Sequence, residues 1–273
     1  MYSARQSFIL LTLLLTPFLV SCQSTAGTNP DGSINLVKEG QLTVCTNPPY
    51  RPFEFEQDGR IVGFDADIAQ AMADRLGVEL NMASTGFEGI DSGASLITGQ
   101  CDIAISGITV SSQRRSKMDF SIPYLDDNLA LLVGADSSID SVDDIAGRRV
   151  GAQQATSGQS YAQEQGADLV QYEDSSLLIQ SLQTGQVEAV VANISILSAA
   201  LAQDSQLKIV SEIQTGEQLA AAVSQANPAM LELANTVIKD LKDSGKLAEL
   251  QTRWLGVESS KPTSSTESTL TKR

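Results

Sequence analysis

The run SGITVSSQRRSKMDFSIPY, from Ser106 to Tyr124, gathers Arg114, Arg115 and Lys117 just beyond a Gly turn, in a chain with 33 acidic and 18 basic residues. A guanidinium presents a fork of donors that matches a carboxylate in bidentate fashion, and an ammonium cannot reproduce that geometry. Ahead of it, Ser106, Gly107 and Thr109 offer a hydroxyl, a close backbone approach and a second hydroxyl where an apolar strand ends. Arg114 falls in the first turn of a short segment that Ser111 or Ser112 can cap. Charge pattern taken alone favours a plainer arrangement, a solvated turn with all three cations in water.

Further candidate groups stand at other strand ends. Asn47 and Tyr50 lie in NPPYRPFEF, and Phe87 in STGFEGID, where an aromatic can stack on an apolar ligand stem. Core packing explains any one of these rings as well, and Phe53 and Phe55 are expected to point inward. In RRVGAQQATSGQSYAQEQ a strand ends near Gln153, and a helix starts through Thr156, Ser157 and Gly158. Free N–H groups at a helix start bind carboxylates or phosphates, and simple capping by Thr or Ser is compatible with that role. The stretch lacks the Lys and Gly spacing of a phosphate loop.

The elements that must hold these groups read as short strands alternating with helices. LTVCT, Leu42 to Thr46, is a strand, and VELNMAS is a second. Between them FDADIAQAMADRLG sets Ile68, Met72 and Leu76 on one helical face, with Asp65 as N-cap and Gly77 as stop. Strand, helix, strand is the unit of a parallel sheet. An internal echo follows: SLITGQCDIAIS, Ser95 to Ser106, and SLQTGQVEAVVA, Ser181 to Ala192, share a helix end at Gly and an acid that opens an apolar strand. It suggests two α/β lobes of one plan, with ligand-facing residues beyond the carboxyl ends of strands at Thr46, Ser106, Gln153 and Val191.

Composition excludes much else. With 273 residues, 42% hydrophobic, the chain is long enough for one sizeable unit or two small lobes. A formal charge of −15 argues against nucleic acid. The absence of His removes the commonest general base, the Ser/His and Cys/His nucleophiles and every His-containing metal site. At the N-terminus, one Arg and an apolar run from Phe8 to Val20 read as a secretory signal too short to span a membrane. Leu19, Val20, Ser21 and Cys22 resemble a bacterial lipobox, which implies cleavage before Cys22 and lipidation of its thiol. The polar stretch after it reads as a tether, and the tail from Ser259 as disordered.

From about Gln41 to Gly256 the chain resembles the family 3 bacterial extracellular solute-binding proteins, substrate receptors of polar amino-acid ABC importers. The matching stretches are PPYRPFEFEQDGRIVGFDADIAQAMADRLG, GQCDIAISGITVSSQRRSKMDFSIPY, SVDDIAGRRVGAQQATSG and LKDSGKLAELQTRWLG. The resemblance implies an α/β, type II periplasmic-binding-protein-like fold with a ligand cleft between two lobes. It places lobe 1 at 38–125 and 219–257 and lobe 2 at 126–218, after a signal at 1–21 and a tether at 22–37, with the tail at 258–273. Two crossing strands are expected near Tyr124 to Leu129 and Thr215 to Leu219.

Carried over residue by residue, Arg114 resembles the arginine that clamps an α-carboxylate, and Tyr50 and Phe87 the aromatic pair around the ligand. Ser106, Gly107 and Thr109 resemble the strand-end group, Thr156 and Ser157 the second-lobe contribution, and Asn47 and Gln153 the side-chain-selecting positions. Cys45 and Cys101 fall on neighbouring strands in this fold, so a disulfide is expected if the register keeps their Cα atoms within about 7 Å. Two departures stand out. Asn193 replaces the usual Asp that meets the ligand's ammonium, and GIDSGASLITG is slightly longer than usual, which brings Glu88 and Asp91 forward as replacements for the missing charge.

The implied protein is a monomeric, lipid-anchored, extracytoplasmic receptor without a cofactor. It hands a polar amino acid or close derivative to an ABC permease and its ATPase. Two rivals are a dehydratase of ring acids on the same fold, with Glu88, Asp91 or another carboxylate as acid, and a ligand-sensing partner of a membrane receptor.

Overall fold

In the computed structural model, which describes Thr28 and residues 34–256, the strand Gln41–Thr46 is buried at every position from Leu42 onward. It is flanked by Glu79–Ser84 and Ile103–Ala104, both parallel to it, so it has neighbours on both edges as well as layers on both faces. Ala222–Val223 and Asp119–Phe120 complete this sheet with antiparallel pairings. The second sheet repeats the plan. Asp168–Tyr172, Arg149–Gln153 and Ala189–Asn193 run parallel, and Leu129–Gly134 and Leu207–Ile213 close it antiparallel. Each sheet carries apolar clusters on both faces.

The chain passes between the sheets as an antiparallel ribbon, Leu125–Asp126 paired with Gln218–Leu219, inside both segments expected to cross. After the return, the helices Pro228–Asp243 and Lys246–Leu255 pack on the helix Phe64–Leu76 of the first lobe. Trp254 fastens this end, stacking edge-on against Phe55 and donating its indole N–H to Asp67 Oδ2 at 2.7 Å.

The internal echo is structural. Gly99 and Gly185 both take the left-handed conformation, φ 69° and 71°, that lets a helix end and the chain turn into a strand. Gln100 N–H then donates to Ser95 O and Gln186 N–H to Ser181 O. The acid opening each strand accepts a backbone N–H from the neighbouring strand: Asp102 from Thr43, Glu188 from Arg149.

One expectation is corrected. Asp65 does not cap the helix Phe64–Leu76, whose cap position is Gly63 with no side-chain bond; Gly77 does end it, at φ 68°. The Asp65 side chain is fully buried and points into the lobe, where it accepts the Gly107 N–H and the Tyr124 hydroxyl in place of an N–H of its own helix.

Cys45 and Cys101 are bonded, with Cα atoms 5.6 Å apart and a sequence separation of 56. The bond ties the central strand to the loop that opens the next. Closing a loop of that length removes about 4 kcal/mol of denatured-state entropy. Thiol titration of the denatured, unreduced protein should find neither cysteine free, and replacing both with Ala should lower the urea midpoint accordingly; two titratable thiols at these positions would refute the bond.

Candidate ligand-binding cleft

The strand ends of the first lobe are held from below by two buried carboxylates that carry no cation beside them among the described residues. Glu54, between the inward-facing Phe53 and Phe55, accepts the Ser106 hydroxyl in a short hydrogen bond and the Asn47 N–H at 3.4 Å. Asp65 Oδ2 accepts the Gly107 N–H at 2.6 Å and the Tyr124 hydroxyl at 3.1 Å. Burial, then the charge of Asp65, pushes Glu54 well above the usual carboxylate range. Burial pushes Asp65 up to about 7 against the bonds from Gly107 and Tyr124. Gly107 cannot carry a side chain here, because a Cβ would lie 2.7 Å from Cε1 of Tyr50.

Arg114 is the one buried cation of its run; Arg115 is exposed and Lys117 half-buried. Ser111 supplies the cap, accepting the Arg114 N–H at 3.2 Å. The guanidinium donates from Nε to Asp91 at 2.8 Å, from Nη1 to Thr109 O at 2.7 Å and from Nη2 to Ala155 O at 2.9 Å. It also stands 5.3 Å over the Phe87 ring. A guanidinium has five N–H donors. One on each terminal nitrogen is therefore without a partner among the described residues, and each can still donate to a carboxylate oxygen. Ala155 is in the second lobe and adopts φ 62°, which costs a non-glycine residue about 1–2 kcal/mol. That conformation aims its carbonyl across the cleft at Arg114.

Other polar contacts cross between the lobes. Gln153 Nε2 donates to Asn47 Oδ1 at 2.8 Å, Ser175 Oγ to Pro49 O at 2.7 Å, and the Tyr50 hydroxyl to Asn193 Oδ1 at 3.4 Å. Burial, with the charges of Asp127, Glu54, Glu217 and Asp65, holds the Tyr50 phenol well above its ordinary value, so it remains a donor. A cavity of about 300 Å³ lies between the lobes, walled by Asp91, Thr109 and Arg114 on one side, by Thr156 and Ser157 on the other, and by Glu217 of the linker. Thr156 caps the helix Ser157–Glu164. Glu217 Oε2 accepts the hydroxyls of Thr109 and Ser157, each at 2.9 Å, and the Asn193 amide at 3.4 Å.

Most of the residues singled out from sequence thus converge: Arg114, Thr109, Thr156 and Ser157 on the cavity, and Asn47, Tyr50, Ser106, Gly107, Gln153 and Asn193 in the layer of cross-lobe and strand-end bonds beside it. Phe87 is buried in the first lobe's core beneath Arg114. Glu88 does not belong to the group. It lies exposed in the first turn of the helix Phe87–Asp91, and the carboxylate that turns inward is Asp91, one turn later. Sequence reading missed Glu54, Asp127 and Glu217. Glu54 had one visible sign, a carboxylate set between two rings in a Pro-flanked loop; Glu217 had none, because its place depends on where the linker crosses.

Two α/β lobes on an antiparallel ribbon, with a polar, charged cavity between them, are the architecture of a hinged solute-binding protein. Residues 42–257 match the bacterial extracellular solute-binding proteins, family 3, and the chain belongs to that family. Among curated proteins it is 30% identical over 250 residues to the L-cystine-binding protein TcyJ of Escherichia coli (strain K12), covering 89% of this chain and 93% of that protein. To the arginine-binding extracellular protein ArtP of Bacillus subtilis (strain 168) it is 25% identical over 250 residues, covering 89% and 96%. The crystal structure of a mutant of ArgBP from T. maritima superposes with a TM-score of 0.76 at 33% identity, covering 80% of this chain and 96% of that one. An ancestral arginine-binding protein bound to glutamine gives 0.75 at 31%, covering 81% and 100%.

The buried carboxylates make stability depend on pH in a stated direction. Asp65 and Asp127 rise from 3.8 to about 7, in both cases chiefly through burial. The folded protein therefore holds protons that the unfolded chain releases above about pH 4, so this contribution is complete below that value and is lost as pH rises through 7. Between pH 5 and 7 the Tm should fall by roughly 5 °C per pH unit and then level off, and Asp65→Asn should flatten the slope. A Tm that is level across that window, or a slope unchanged in Asp65→Asn, would show that these groups titrate as ordinary carboxylates.

Proposed function

We propose that this protein is the extracytoplasmic receptor of an ABC importer, capturing a polar amino acid or close derivative between its lobes and presenting it to a permease and its ATPase. The observation that carries this reading is Arg114: a buried guanidinium on the cavity wall with one free N–H on each terminal nitrogen. Each can donate to a carboxylate oxygen. The names of the relatives, which bind cystine, arginine and histidine, support the same ligand class. Closure is a rotation about the ribbon Leu125–Asp126 and Gln218–Leu219, which brings Asn47 to Gln153 and Tyr50 to Asn193. Cys22, which lies outside the described residues, is the proposed lipid anchor that keeps the receptor at the membrane as a monomer.

Thermal-shift screening over the L-amino acids and L-cystine should return at least one stabilising compound, since a ligand at a hundred times its dissociation constant adds about 2.7 kcal/mol. Calorimetry with that compound should show Arg114→Ala weakened by about 30-fold or more, and Arg114→Lys not restored. Undiminished affinity in Arg114→Ala would remove the guanidinium from the site. For the anchor, Cys22→Ala should leave the membrane fraction or stay unprocessed, and equal membrane association of both forms would count against lipidation.

A further inference from the structure

We infer that Glu217, in the linker, is the residue that accepts the ligand's α-ammonium and thereby sets the requirement for a free amino group. The inference rests on the amino-acid reading above and adds to it a residue that no sequence signal singles out.

Glu217 faces the same cavity as Arg114. Its Oε2 is met by three donors, the hydroxyls of Thr109 and Ser157 and the amide of Asn193, all of them neutral. No Lys or Arg pairs with it among the described residues, whereas of the other carboxylates lining the cavity Asp91 is taken up in an ion pair with Arg114 at 2.8 Å and Glu164 is exposed. Neutral donors orient a carboxylate without cancelling its charge. The half-buried Glu217 is therefore a directed negative charge whose natural complement is a cation arriving in the cavity.

The position makes the choice specific. The donors on Glu217 come from the end of a first-lobe strand, from the start of a second-lobe helix and from the end of a second-lobe strand, so the carboxylate is fixed where the two lobes meet. Arg114 supplies free N–H donors on another wall of the cavity, and a zwitterion needs one charge of each sign at separate walls. Asn193 is 3.4 Å from Glu217 through its amide nitrogen, so it reinforces this carboxylate and offers no charge of its own.

The test titrates L-arginine, L-histidine, L-glutamine and L-cystine, each beside its analogue lacking only the α-amino group, by calorimetry on folded protein checked by circular dichroism and Tm. Wild type should prefer at least one of these amino acids over its analogue by about 30-fold or more. Glu217→Gln should lose that preference, the amino acid weakening while the analogue binds at least as tightly as it does to wild type, Glu217→Asp should keep most of it, and Asn193→Asp placed in the Glu217→Gln background should restore it. A merely structural role for Glu217 would lower both affinities together and would not be rescued from position 193. Glu217→Gln that keeps the wild-type preference overturns the inference, even where Arg114→Ala has lost binding and the amino-acid reading stands. Where the thermal-shift screen returns a different L-amino acid, that one and its analogue join the titration; binding of no L-amino acid and no L-cystine by wild type overturns that reading, and the inference with it.

Discussion

The cleft depends on one buried carboxylate, that of Asp65, because it joins three parts of the molecule that the chain keeps far apart. Asp65 sits in the first turn of the helix Phe64–Leu76, accepts the N–H of Gly107 at the strand-end turn and accepts the hydroxyl of Tyr124 just before the linker ribbon. Burying a carboxyl group is costly, and the two bonds to Oδ2 are what offset it, since Oδ1 has no partner among the described residues; the geometry is therefore favoured only while all three parts stay in register. Glu54 does the same for Asn47 and Ser106. The strand ends are thus fixed by what lies beneath them, and the surface that faces the cavity is left free to meet something else.

The contacts that hold the lobes together are of a different kind. Gln153 to Asn47, Ser175 to Pro49, Tyr50 to Asn193 and Arg114 to Ala155 are polar and spread across the interface, and the apolar contact beside them is small, Ile196 and Ala155 of the second lobe packing on first-lobe clusters. A neutral hydrogen bond nets only about 0.5–1.5 kcal/mol against water and one to a charged group about 1.5–3, so each of these bonds adds little to the cost of opening. A large apolar interface would hold the lobes shut without a ligand; a mostly polar one leaves the balance where the binding energy of a small molecule can shift it. The left-handed Ala155 works in the same direction, since part of the bond it makes to Arg114 offsets its own backbone strain.

The fold was legible because it rests on local signals that repeat. The helix face of Ile68 and Met72, the stop at Gly77 and the paired Thr-Gly-Gln junctions each reflect short-range backbone chemistry, and each appears where the sequence places it. Arg114 was legible through its motif, although charge pattern alone pointed to a solvated turn; its burial depends on Asp91, Thr109 and Ala155, which only the folded chain assembles. Asp65 was misassigned because an acid in the first turn of a helix is usually a cap, and nothing local shows that Gly107 and Tyr124 wait for it. Glu88 and Asp91 lie three residues apart on one short helix, and sequence could not say which of them turns inward.

Asn193 and Glu217 show how a charge can leave one element and be carried by another. The two residues lie on different segments, one at the end of Ala189–Asn193 and the other just before the ribbon strand Gln218–Leu219, yet their side chains meet. A carboxylate at position 193 would belong to the second lobe alone. At position 217 it belongs to the linker, whose backbone carbonyl accepts the Asp127 N–H at 3.0 Å, and its side chain touches Thr109 of the first lobe and Ser157 of the second. Any rotation of one lobe against the other must break at least one of these two hydroxyl contacts. The charge is therefore fully oriented only when the lobes are closed, and a cation that needs it there favours closure through the same atoms that bind it.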